Sequence, residues 1–422
     1  MKVARRSAVP PFAVMEILAT AKELRAKGRD VVILCAGEPA SGAPRAVREA
    51  AAALLAHGDL GYTEATGVPR LRDALARHYV DTYRVPVDPA SIAVTTGSSG
   101  AFLLAFLAAF DAGDRVALAR PGYPAYANIL SALGCEVVDL PCGPEQRYQP
   151  TVAQLEAAGH LDGLVVASPA NPTGTMVSAD ELAAIAAWCA RTGTRLVSDE
   201  IYHGITYTGA PGAATAAAYT GSGALVVSSF SKFWGMTGWR LGWLVLPDDL
   251  VGPVGALAGN LALCPPSLAQ HAALAAFSDE GMAAARAATA RYAQCRDLLM
   301  GVLPQLGWDP VAPADGAFYL YGDVSAFGLD SPTYCARLLD EAGVALTPGT
   351  DFDPAGGRDW VRLSFAVAPD ELRVAIDRIV AWQRTLPGWR GPAGATGVTG
   401  LPGRGGAPAG PQLAADAGTD AR

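Results

Sequence analysis

The sequence predicts an α/β protein, with a mostly parallel sheet covered by helices on both faces and a smaller α+β domain beside it. Three observations carry this. From residue 91 onward, short apolar runs alternate with stretches of helical periodicity, the pattern of a parallel sheet buried on both sides. Each run ends in a turn rich in glycine, proline or hydroxyl residues. After Phe277 the texture changes to one long Ala- and Arg-rich stretch and then to strand-like segments.

Residues 13–27 read as a helix with Val14, Leu18, Ala21 and Leu24 on one side and a stop at Gly28. A short strand over 31–35 leads to Gly37, and residues 44–56 form a second helix. A Gly- and Thr-rich loop carries Tyr62, and Pro69 opens a helix through Tyr83. The alternation then begins: a strand at 91–95 with a helix at 101–110, a strand at 115–119, and another within 133–139. Residues 163–167 are a strand, followed by a helix over 178–191 with Ser178 and Glu181 spaced as a capping box. Strands follow at 194–197, 224–228 and 239–246. Beyond them lie a long helix at 279–303, strands in 316–324 and 360–365, and an amphipathic helix over 369–386. The expected organisation is an N-terminal segment, 1–44, completing a small domain at 279–390, with the large domain at 45–278. In 391–422 glycine recurs every third position from Gly391 to Gly406, but the repeat is short and lacks dense proline. A disordered tail is expected there rather than a collagen-like helix.

A net charge of −8 and a pI near 5.2 argue against general nucleic-acid binding. The seven cysteines are irregularly spaced with no CxxC, as expected of a reducing compartment. No apolar run has the length and continuity of a membrane span, and the N-terminus lacks an apolar signal core. A soluble cytoplasmic protein is expected.

Lysine is scarce. After Lys27 the chain has one, Lys232, in the stretch SSFSKFWGMTGWRLGW, with Arg240 eight residues later. Unlike arginine, a lysine amine can lose its proton and attack a carbonyl. Ser98, Tyr123, Asn171, Asp199 and Lys232 each follow a predicted strand, and ligands of parallel sheets sit off the carboxyl ends of the strands. Ser98 and Ser99 lie at a helix start, where free N–H groups favour phosphate, and Ser229 and Arg240 add a hydroxyl and a forked cation. Asp199 is a carboxylate in want of a cationic partner, Tyr123 offers a flat face, and Asn171 and Tyr202 offer neutral hydrogen bonds. A phosphate, a planar ring with a protonated nitrogen, a ring hydroxyl and an aldehyde would satisfy this set; together they describe pyridoxal 5′-phosphate.

The lysine stretch resembles the signature of the class I/II pyridoxal-phosphate-dependent aminotransferases, of the aspartate aminotransferase fold (fold type I). The similarity continues in order through GYTEATGVPRLRDAL, TTGSSGAF, RPGYPAY, ASPANPTG, VSDEIY and WVRLSFA, covering about residues 10–386. The resemblance implies a large domain with a seven-stranded sheet. It implies that Lys232 holds the cofactor covalently and later shuttles the substrate Cα proton, while Asp199 pairs with the ring nitrogen. Tyr202 and Asn171 would bond the ring 3-oxygen, Tyr123 would stack on the ring, and Ser98, Ser99, Ser229 and Arg240 would hold the phosphate. Tyr62 would reach the phosphate of a neighbouring subunit, which implies a homodimer with shared sites. Arg362 would fork onto the substrate α-carboxylate, assisted by the backbone of Gly37 and by Asn171. The implied activity is ping-pong transfer of an amino group from an L-amino acid to a 2-oxo acid. With no arginine identifiable for a side-chain carboxylate, a neutral or apolar amino acid is favoured. The same residues would serve β-elimination from a cysteine conjugate. A non-catalytic regulator is the reading from another class, and it is disfavoured because such regulators join this fold to a DNA-binding domain, whereas this chain opens almost at once on the catalytic-type segment.

Overall fold

The computed structural model describes residues 1–387 and 389; the predicted tail, 391–422, lies outside them. Twelve strands run in chain order: β1 Val32–Ile33, β2 Ile92–Thr95, β3 Arg115–Arg120, β4 Glu136–Pro141, β5 Gly163–Ala167, β6 Arg195–Asp199, β7 Leu225–Ser229, β8 Gly242–Val245, β9 Tyr319–Asp323, β10 Val344–Ala345, β11 Thr347–Pro348 and β12 Trp360–Ser364. Seven form the central sheet in the order β2-β8-β7-β6-β5-β3-β4. All pairings are parallel except those of β8, which runs against both β7 and β2. The reversal has a local cause. Residues 230–241, which connect β7 to β8, hold only a short turn at Thr237–Trp239 and no helix to carry the crossover a parallel return uses. That connection is the Lys232 segment, so the reactive loop closes an antiparallel turn at the carboxyl end of β7.

The sheet is buried on both faces. In β7, Leu225 and Val227 belong to one core with Phe102, Phe106, Leu130 and Val254. Val226 faces the other, with Leu71, Leu75, Ile185 and Trp188, as the two-residue period of a strand requires. The helices Gly97–Ala109, Pro124–Leu133 and Asp248–Ala262 thus cover one face, and Pro69–Tyr83 and Ala179–Thr192 the other. The predicted capping box is present: Ser178 accepts from the Glu181 N–H, and the Glu181 carboxylate accepts from the Ser178 N–H.

The smaller part of the chain carries the antiparallel sheet β11-β12-β9 and the parallel pair β1-β10, in which Val32 lies opposite Val344. The N-terminal segment is therefore stitched to the C-terminal third. Several boundaries differ from expectation. The strand expected within 133–139 starts at Glu136, because Leu133 ends a helix and Gly134 reverses the chain at φ 93°. The strand expected from Gly316 starts at Tyr319, since Ala317 has a positive φ of 55°. The strand expected over 239–246 is cut back to 242–245, because residues 237–239 form a tight turn and Arg240 is left-handed. The helix expected from Ala101 begins at Gly97, and the long helix continues past 303 to Leu306 with Pro304 in its last turn.

Candidate active site

The carboxyl ends of β2, β3, β5, β6 and β7 share one edge of the sheet, and the face of the small sheet that carries Arg362 is turned toward them. On β12, Arg362 lies opposite Tyr321 of β9 and Thr347 of β11, while Ser364 lies opposite Tyr319. Directly paired residues share a face, so Tyr319, Thr347 and Arg362 project together. Arg362 is 3% exposed. Its Nη1 donates to Asn171 Oδ1 at 2.8 Å, and Nη2 donates to the Cys35 carbonyl at 2.5 Å and to Thr347 Oγ1 at 3.3 Å. Its Nε is buried with no acceptor, an arrangement that favours an added anion. Among the described residues the Asn171 amide nitrogen makes no hydrogen bond.

Lys232 reaches across the same space. Its Nζ donates to the Gly37 carbonyl at 2.6 Å and lies 5.8 Å from the centre of the Tyr202 ring. Burial first, then the nearby Arg362 guanidinium, bring the amine down to about 8. About a tenth of the amine is therefore neutral at pH 7, far more than for a free lysine, and that is the state a nucleophile needs.

Asp199 ends β6 and is 3% exposed. Its carboxylate accepts from the Tyr126 hydroxyl and from the Ile201 N–H at 3.1 Å. Burial pushes its pKa up to about 6 despite these two donors. Tyr126 stands edge-on to Tyr123, ring centres 5.3 Å apart, and Phe12 lies parallel over Tyr123 at 6.0 Å. The next carboxylate, Glu200, is satisfied within the fold by Ser198, Thr215 and the Ala216 N–H, so its place is structural.

A second group gathers at the start of the helix Gly97–Ala109. The preceding Thr96 gives no side-chain cap, so the first-turn N–H groups of Ser98 and Ser99 are left for another acceptor. Gly97 has φ +68°, and a Cβ there would overlap the Arg240 guanidinium. The Arg240 cation thus lies against the helix start. Arg240 is itself left-handed, at φ 51°, an uncommon conformation for a side chain of this size and one that recurs at functional sites. Gly242 packs just as tightly; its Cβ would lie 2.9 Å from the Ser98 nitrogen.

The structure thus brings together Lys232, Asp199, Tyr202, Asn171, Tyr123, Gly37 and Arg362, with Ser98, Ser99 and Arg240 beside them. Two predicted residues remain, Ser229 and Tyr62. Ser229 is 2% exposed; its hydroxyl accepts from the Ser231 N–H at 3.0 Å and lies 2.8 Å from Ser231 Oγ and 3.0 Å from the Leu241 carbonyl. It is occupied inside the turn that shapes the loop. Tyr62 is 85% exposed. Two residues escaped sequence reasoning, Tyr126 on Asp199 and Tyr319, whose hydroxyl lies 2.6 Å from that of Tyr202. Tyr126 sits in the predicted RPGYPAY segment, one helical turn after Tyr123, and that spacing could have found it.

Comparisons with known proteins agree with this geometry. The profile of the family described as aminotransferase class I and II matches residues 29–379. The chain is 53% identical over 382 residues to the valine–pyruvate aminotransferase of Mycobacterium tuberculosis, covering 90% of this chain and 98% of that protein. It is 36% identical to the aspartate/prephenate aminotransferase of Thermus thermophilus, over 89% of this chain and 96% of that protein. Among solved structures, an aminotransferase from Mycobacterium tuberculosis superposes with a TM-score of 0.89 at 52% identity, covering 91% and all of the two chains. Aspartate aminotransferase from Thermus thermophilus with maleate gives 0.85 at 34% identity, over 90% and 99%. With the fold, the lysine loop and the family profile in agreement over most of its length, the chain belongs to the class I and II aminotransferases.

Proposed function

We propose that this aminotransferase takes a neutral L-amino acid as donor, with the roles of its site residues as follows. The cofactor of the family is pyridoxal 5′-phosphate. The site fits that group on several counts: an uncapped helix start with a guanidinium over Gly97 for a phosphate, a buried Asp199 short of a cation for a ring nitrogen, and Lys232 as an amine with a lowered pKa. When bound, the cofactor supplies an electrophilic carbonyl carbon and a ring that accepts the electrons left when the substrate Cα loses its proton.

Lys232 would anchor the cofactor and, once displaced by the substrate amine, act as the base that moves the Cα proton. Asp199, held by Tyr126 and the Ile201 N–H, would keep the ring nitrogen protonated. The first-turn N–H groups of Ser98 and Ser99 would hold the phosphate with Arg240 and the Ser229 hydroxyl, which also shapes the loop beneath it. Tyr202 and the free amide nitrogen of Asn171 would donate to the ring 3-oxygen, and Tyr123 would cover the ring. Arg362 would bind the substrate α-carboxylate. The backbone of Gly37, whose carbonyl accepts from Lys232, would assist at the substrate.

One observation carries the substrate class. Among the described residues, the guanidinium groups whose charge reaches both Lys232 and Tyr123 are Arg240 and Arg362. One is assigned to phosphate and the other to the α-carboxylate, so neither of these two is left for an acidic side chain. Similarity to a valine–pyruvate aminotransferase supports the same reading and makes pyruvate the first acceptor to try. The test is steady-state transamination with L-valine, L-alanine, L-leucine and L-aspartate against pyruvate or 2-oxoglutarate. The neutral donors are expected to exceed aspartate in kcat/KM by at least about tenfold; preference for aspartate would refute the assignment.

A homodimer in the cytoplasm completes the reading. An exposed Tyr62 supports a residue that works in a neighbouring site, and the seven cysteines are all unpaired. Among the described residues no helix is long and apolar enough to cross a membrane.

A further inference from the structure

Tyr319 has no part in the chemistry above, yet it stands among three residues that do. Its hydroxyl lies 2.6 Å from the Tyr202 hydroxyl. A Cβ on Gly37 would overlap that same Tyr319 hydroxyl, so the backbone that accepts from Lys232 is pressed against it. The Arg362 guanidinium lies over the Tyr319 ring, 4.5 Å from its centre. Tyr319 and Tyr202 are 1% and 3% exposed. Among the described residues, the contact between them is the only hydrogen bond that either hydroxyl makes.

Two hydroxyls bring two protons, and one shared contact uses one of them. The direction of that contact decides which tyrosine keeps a proton to give. A Tyr202 hydroxyl that gives its single proton to another acceptor can only receive at this contact, so the proton shared between the two tyrosines must then come from Tyr319. Resting on the reading that Tyr202 serves the 3-oxygen of the cofactor ring, we propose that Tyr319 is a positioning residue: it donates to Tyr202 and thereby commits the Tyr202 proton to that oxygen. Hydrogen bonds in a chain polarise one another, so the Tyr319 donation also strengthens the Tyr202 donor. No covalent step is involved. The gain is a 3-oxygen held in its anionic form at lower pH.

The test is a spectroscopic pH titration of the lysine-bound cofactor in the holoenzyme. Tyr319→Phe keeps the ring beneath Arg362 and removes only the hydroxyl. The midpoint is expected to rise by about half a unit to one unit, the size of one neutral hydrogen bond. Tyr202→Phe should raise it further, and Tyr202→Phe/Tyr319→Phe should titrate like Tyr202→Phe alone, because Tyr319 acts through Tyr202. Should Tyr319→Phe not fold, Gly37→Ala displaces the same hydroxyl and should raise the midpoint too. An unmoved or lowered midpoint in the tested variant, or additive shifts in the double variant, overturns the inference. A wild-type protein with no lysine-bound absorption band would instead overturn the assignment of Lys232 and the cofactor site.

Discussion

Without its cofactor, the protein buries a carboxylate that lacks a cation at hydrogen-bonding distance. Asp199 has two donors, Tyr126 and the Ile201 N–H, but burial still lifts it from 3.8 to about 6. The folded state therefore holds the Asp199 proton more tightly than the unfolded chain does. Stability conferred by that proton is fully present below about pH 4 and is lost as pH rises toward 6. A shift of about two units at about 1.4 kcal/mol each makes the ionised carboxylate a liability of about 3 kcal/mol above pH 6. Asp199→Asn removes the charge while retaining one acceptor for the Ile201 N–H and a donor for the Tyr126 oxygen. In the cofactor-free protein, Asp199→Asn is expected to be more stable than wild type by about 2–3 kcal/mol at pH 8, with no advantage at pH 4. Urea unfolding at a series of pH values measures this directly. Addition of pyridoxal phosphate should reverse the order, because only the wild type gains a charged partner for the ring nitrogen. An Asp199→Asn variant that is no more stable than wild type at pH 8 without cofactor would refute the claim that this carboxylate is held in wait for a cation.

Three further outcomes follow from the geometry. Capture of cofactor by the cofactor-free protein should accelerate about tenfold per pH unit up to the Lys232 midpoint near 8 and level off above it; a midpoint near that of free lysine would contradict it. Arg362→Ala removes a buried, charged fork and should lower kcat/KM for the amino acid by about 10- to 150-fold, with Arg362→Lys restoring only part because the paired geometry is lost. Gly97→Ala adds a methyl group against the Arg240 guanidinium at a left-handed position and should weaken cofactor affinity at least about tenfold by equilibrium dialysis.

Much of this architecture was legible because it is local. The strands of a sheet buried on both faces are continuous apolar runs, and their ends are marked by turn residues, so the site edge followed from counting where polar residues come after strands. Lys232 was conspicuous because the chain uses arginine nearly everywhere else. What escaped was non-local. Arg362 is buried among partners distant in the chain, Cys35, Asn171 and the rings of Tyr319 and Phe352, which no local pattern announces. Tyr202 and Tyr319 are 117 residues apart, and no spacing announces their contact. Strand ends slipped where a single backbone state decided them, at Gly134 and Ala317. Ser229 carries the hydroxyl expected of a phosphate ligand, and that hydroxyl also makes hydrogen bonds within the turn that positions Lys232. Tyr62 follows a different logic, since its place in the fold leaves it 85% exposed and its proposed role belongs to a second subunit.

The most direct test of the account adds L-amino acids one at a time to purified holoenzyme, without any oxo acid, while the absorption spectrum is recorded and oxo acid and ammonia are measured. With a neutral donor, the lysine-bound band should disappear and stay lost, with about one oxo acid formed per subunit and no ammonia, and pyruvate should then restore the band. Continued oxo-acid release with equimolar ammonia would mean elimination rather than transfer, and the absence of any lysine-bound band would contradict the assignment of Lys232 itself.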